Sequence, residues 1–98
     1  MTPENISEAI CLYMGWGFAN SPSAYPERVN ERFGVELGSQ LTTAVKALRH
    51  EYWEAGFPED ATLNEATDRA SEIFVASHPE ISADGVKALA WNFAYNNR

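Results

Sequence analysis

Apolar positions along the chain repeat at spacings of three and four residues, the period of a helix with one buried face. Ile6, Ala9, Ile10, Tyr13 and Met14 make the first such face. Thr2 suits its N-cap, and Pro3 suits the first helical position, where a missing N–H loses no bond. Glu4 and Glu8 lie toward the positive end of the helix dipole. The pattern predicts a helix from Thr2 to about Phe18, weakened at its end by Gly15 and Gly17. Asn20, Ser21 and Pro22 are turn formers, so residues 19–26 read as a connector. A short second helix follows over Pro26–Phe33, with Val29 and Phe33 one turn apart and Gly34 as its stop.

The longest predicted helix runs from about Ser39 to Ala55. Leu41, Ala44, Val45, Leu48, Tyr52 and Ala55 fall within an arc of roughly 100° on a helical wheel. Gly56 and Pro58 end it. A fourth helix opens at Thr62-Leu63-Asn64-Glu65, a capping-box pattern, and buries Leu63, Ala66, Ala70, Ile73 and Phe74 before His78-Pro79. A fifth begins after Ser82, with Ile81 and Val86 placed as a hydrophobic staple. Its main apolar face is Val86, Leu89, Ala90 and Phe93, and it frays at Asn96-Asn97-Arg98. No stretch alternates strictly enough for a half-buried strand, and Val35-Glu36-Leu37 is too short to count. The predicted fold is all-α: a compact bundle of about five helices in a single domain, residues 1–98.

Composition narrows what such a bundle does. With 45% hydrophobic and 21% charged residues the chain has globular character. Fourteen Asp and Glu against seven Lys and Arg give a formal net charge of -7. An acidic surface repels nucleic-acid phosphates and anionic lipid and favours a basic partner, although acidity also serves solubility alone. Direct nucleic-acid binding and membrane association are therefore not expected. Cys11 is the one cysteine, so no internal disulfide forms. The start, Met1-Thr2-Pro3-Glu4-Asn5, lacks the positive charge and apolar run of a secretory leader, and the cytoplasm is the expected compartment.

Candidate chemistry is sparse. His50-Glu51-Tyr52-Trp53-Glu54 has the start of a zinc-protease helix, but Glu54 stands where the second histidine is needed, and His78 lies on another element. No metal site and no cofactor are expected. Cys11 is mid-helix beside the apolar face, with no base in sequence reach to activate it, and reads as a structural thiol. Ser21, Ser23, Ser39 and Ser82 occupy caps and turns. Gly15-Trp16-Gly17 does not follow a strand, so it is not a dinucleotide-binding fingerprint. Catalysis is not expected.

The acidic residues are better organised. Glu65, Asp68 and Glu72 fall within about 60° on the wheel of the fourth helix, opposite its apolar face. Glu51, Glu54, Glu59 and Asp60 cover the end of the third helix and the turn after it. Together these seven read as an acidic patch for a basic partner, with an ordinary solvated face as the plain alternative. Trp53 lies beside Glu54 and is the aromatic expected to be partly exposed there, as an interface anchor. Trp91 and Tyr95 lie about 140–180° from Val86, which makes the fifth helix apolar on two sides.

The length, acidity and helical pattern, with the connector Gly15-Trp16-Gly17-Phe18-Ala19-Asn20-Ser21-Pro22 followed by Tyr25-Pro26-Glu27-Arg28, give a chain that resembles the small all-helical immunity proteins of bacterial contact-dependent toxin–immunity systems. The resemblance implies a cytoplasmic inhibitor that binds one cognate protein toxin, often a basic nuclease, and occludes its active site. Carboxylates would stand in for nucleic-acid phosphates and one or two aromatics would fill a pocket. Two other readings stay open: a nucleic-acid mimic that blocks defence enzymes, and a helical adaptor or regulatory subunit with mainly apolar contacts.

Overall fold

Every helix in this protein starts where a side chain or a preceding carbonyl takes up its first backbone groups. A computed structural model describes residues 2–56 and 62–97. Among them five helices follow one another: α1 (Pro3–Met14), α2 (Pro26–Phe33), α3 (Val35–Ala55), α4 (Leu63–Ser77) and α5 (Ala83–Asn96). No strand occurs among the described residues. Thr2, Thr62 and Ser82 cap α1, α4 and α5, each hydroxyl accepting the N–H of the residue three positions on. The Thr62 hydroxyl also donates to the Glu65 carboxylate at 2.9 Å, so the predicted pair does meet at the start of α4. Pro58, read as part of the α3 stop, lies outside the described residues.

Two helix ends differ from the sequence reading. α1 stops at Met14 rather than near Phe18, because Gly15 turns left-handed at φ 87°. Its N–H reaches the carbonyls of Cys11 and Leu12, and the Trp16 N–H reaches Cys11 as well, closing the helix. The connector then folds back on α1: the Ser23 and Tyr25 N–H groups donate to Met14 and Tyr13. α3 starts at Val35, four residues before Ser39, because Gly34 both ends α2 and begins α3. Gly38 therefore lies inside a helix. There α2 crosses so close that a Cβ would stand 2.9 Å from the Asn30 Cα.

α3 is the spine. Leu41, Val45 and Tyr52 are fully buried along it, and α1 adds Ala9, Ile10, Tyr13 and Met14 to the same core. Ala66, Ala70 and Phe74 come from α4, and Ala88, Leu89 and Phe93 from α5. The Tyr52 ring packs between Phe74 and Phe93, with centroids 5.7 and 5.8 Å away. Its hydroxyl donates to the Thr67 carbonyl at 3.2 Å and meets the Ser71 hydroxyl at 2.7 Å, so the phenol is buried without losing a partner. Truncating Phe74 or Phe93 in such a cluster costs on the order of 3–5 kcal/mol.

α4 runs antiparallel to the end of α3: Gly56 approaches Ala70, Tyr52 meets Ser71 and Phe74, and Glu51 meets His78. α5 packs on α1, α4 and α3. Its buried face is Gly85, Ala88, Leu89, Asn92 and Phe93, rotated from the predicted Val86–Ala90 face; Val86 and Ala90 are only half-buried. Ile73, assigned to the core face of α4, is instead 46% exposed. The radius of gyration, 12.9 Å, matches the roughly 13 Å of a folded chain this long. No described helix is long and apolar enough to cross a membrane.

Candidate functional site

α4 turns Ala66, Ala70 and Phe74 inward, which leaves its opposite face to solvent. Glu65, Asp68 and Glu72 are all exposed on that face. Val75, 45% exposed, shares it, and Ile73, 46% exposed, lies on the flank between it and the core face. On the wheel Val75 lies within about 20° of Asp68, at one margin of the carboxylate row, while Ile73 lies about 80° from Glu65 and about 20° from Ala66. Arg69 is exposed between the row and Ile73. Asp68 lies near enough to Tyr52 to help raise that phenol's pKa, after burial and against the lowering effect of the Ser71 bond.

The other predicted acids are not all gathered on this face. Glu51 lies on the flank of α3 that meets α4, but at the far end, where it contacts Nε2 of His78. His78 follows α4 while Glu65 opens it, so these two acids lie about 20 Å apart along the helix axis. The set is a line rather than a compact patch. The His78 ring rests on Phe74, 4.8 Å between centroids, and its Nδ1 faces Glu80 at 3.3 Å. Both ring nitrogens thus face a carboxylate. The exposed Glu80 carboxyl is held below the usual range by a bond from its own backbone N–H, with His78 adding to the effect. Glu54 stands on the outer ridge of α3, 3.5 Å from His50, both strongly exposed. Glu59 and Asp60 lie outside the described residues.

Trp53 is half-buried on the opposite flank of α3, toward α5. Its indole N–H donates to Asn92 Oδ1 at 3.3 Å, and its ring meets Phe93 edge-on at 5.9 Å. Arg49 lies over it, the guanidinium carbon 5.0 Å from the ring centroid. Trp53 is therefore not part of the α4 face. Trp91 is half-buried against Trp16, 5.4 Å between centroids, and Tyr95 is 37% exposed. Ile73, Val75 and Asn92 are the residues sequence reasoning missed. Val75, about 100° from the nearest core position of α4, had a signal in the wheel; Asn92 had none, because its partners come from α3.

Cys11 borders a cavity of about 380 Å³ together with Glu4, Glu8, Glu80 and Asp84. Burial first, then the charges of Asp84 and Glu8, push its pKa up to about 11, so the group stays a thiol near neutral pH. No cluster of three or more His, Cys, Asp or Glu suited to a metal ion occurs among the described residues. Compared with known proteins, the chain matches no family model, no curated protein sequence and no solved structure.

Proposed function

We propose that this domain is a protein-binding inhibitor that takes a basic partner on the outer face of α4, in the manner of an immunity protein neutralising a cognate toxin such as a basic nuclease. The observation that carries the reading is the composition of that face: Glu65, Asp68 and Glu72 in one exposed row, with Val75 exposed at one edge and Arg69, then Ile73, exposed beyond the other. Carboxylates alone serve solubility. Carboxylates flanked by aliphatic side chains give a surface with both an electrostatic and a desolvation component, the mixture found at specific interfaces. The same mixture favours a protein partner over a plain duplex mimic, which has no use for exposed aliphatic groups.

The fold suits the role. α4 is capped at its start and anchored through Ala70 and Phe74, so its outer residues are held on a rigid rod and binding need not order them. Net charge of -7 adds long-range steering toward a cationic surface. Under this reading the partner's cationic active-site groups meet the carboxylate row, while apolar side chains cover Ile73 and Val75. The test is co-expression with the product of the adjacent gene. A one-to-one complex that loses affinity as salt rises, together with relief of that protein's toxicity, is the expected outcome. Absence of both a complex and protection would refute the immunity reading.

A further inference from the structure

Two of the seven Lys and Arg of this acidic molecule stand together on α3. Lys46 and Arg49 stand on the α5-facing side of α3 and, with His50 and Trp53, line a cavity of about 250 Å³. Arg49 also forms the wall of a second cavity, of about 200 Å³, bordered by Tyr13, Ser23, Asn92 and Asn96. Among the described residues no carboxylate side chain lines either cavity, in a chain with fourteen acids against seven Lys and Arg. His50 is engaged by Glu54, which leaves Lys46 and Arg49 as the cations facing the space.

Arg49 is held in place before any ligand arrives. Its Nε donates to Asn92 Oδ1 at 3.0 Å, its plane lies over Trp53, and Asn92 is itself only 4% exposed. These contacts use one of the five guanidinium N–H groups. The two terminal nitrogens have no partner among the described residues. Tyr13, on the wall of the second cavity, is 6% exposed, and its hydroxyl likewise has no hydrogen bond among the described residues. A fixed guanidinium fork beside an unpartnered hydroxyl on the same cavity wall is donor capacity of the kind oxyanions take up.

We propose that the cleft between α3, α5 and the 19–25 connector binds the oxyanion group of a small molecule, a carboxylate or a phosphate. The terminal nitrogens of Arg49 grip it, the Tyr13 hydroxyl donates a further bond, and Lys46, on the neighbouring cavity that Arg49 also lines, adds positive charge. The site is separate from the α4 face, so it stands or falls independently of the partner-binding reading.

The probes are sodium phosphate and sodium acetate at constant ionic strength, followed in amide spectra by the Trp53 Nε1–H and the Asn92 and Asn96 side-chain amides. Saturable shifts at these reporters are expected. Saturation by phosphate alone assigns a phosphate, by acetate alone a carboxylate, and by both the shared oxyanion chemistry. Shifts no larger than chloride produces, or rising without saturation for both probes, would overturn the site. Arg49→Gln should weaken binding about tenfold or more, and Tyr13→Phe by less. Lys46 is exposed, so Lys46→Gln tests the charge with the fold intact, and circular dichroism checks each variant. Unchanged affinity in Arg49→Gln contradicts the proposal; if that variant does not fold, unchanged affinity in Lys46→Gln does. Reversals on α4 should leave anion binding as it was.

Discussion

With its pKa raised to about 11, the Cys11 thiol has a definite pH signature. The fold favours the protonated form, so this group's contribution to stability is complete below 9.0, its ordinary value, and is lost as pH rises toward about 11. Alkylation of the native protein by iodoacetamide should be slow at neutral pH and accelerate along a titration centred near 11. A native reaction curve centred at 9.0 or below would show that Cys11 is neither desolvated nor facing Asp84 and Glu8. The semi-buried, structural character of this thiol was readable from its place beside the apolar face of α1. Asn92 was not readable. As a polar residue it belongs outside by type, yet it is buried because Arg49 and Trp53 satisfy its carbonyl from 43 and 39 residues away. No local pattern carries information about such a partner.

Helices were legible where local chemistry fixes them. Thr2, Thr62 and Ser82 cap where their residue types predict, and α2 spans the stretch its pattern gives. Legibility failed where tertiary contact decides. The early start of α3 depends on α2 crossing at Gly38, and the rotation of α5 depends on small residues, Gly85 and Ala88, meeting other helices. One tie between elements was also hidden. The Ser82 N–H, at the cap of α5, donates to the hydroxyl of Ser7 in α1 at 2.9 Å, and Ser7 is 6% exposed. Ser7→Ala leaves that N–H without its partner and should cost about 1–3 kcal/mol. In urea unfolding the midpoint should fall while the slope stays unchanged. An unchanged midpoint would mean that this bond does not stabilise the packing of α5 on α1.

Around α3 the two signs of charge lie on different flanks, although Arg69 stands exposed on α4 among the acids. The flank of α3 toward α4, and α4 itself, carry Glu51, Glu65, Asp68 and Glu72; the flank toward α5 carries Lys46 and Arg49. The wheel revealed the carboxylate row, because helical spacing alone sets it. It did not reveal that Ile73 and Val75 stand exposed with the row, nor that Glu51 and Trp53 point to opposite sides of α3, since both follow from where α4 and α5 dock. Under the proposed function a basic partner docks on α4 through position and not through net charge. The association rate constant with that proposed partner, measured for two triple variants, tests this most directly. One reverses Glu65, Asp68 and Glu72 to Lys; the other reverses the exposed Glu27, Glu31 and Glu36, with the same change in net charge. The α4 variant should associate at least about tenfold more slowly and lose most of the salt dependence, while the control changes little. Equal rates for the two variants would contradict the account.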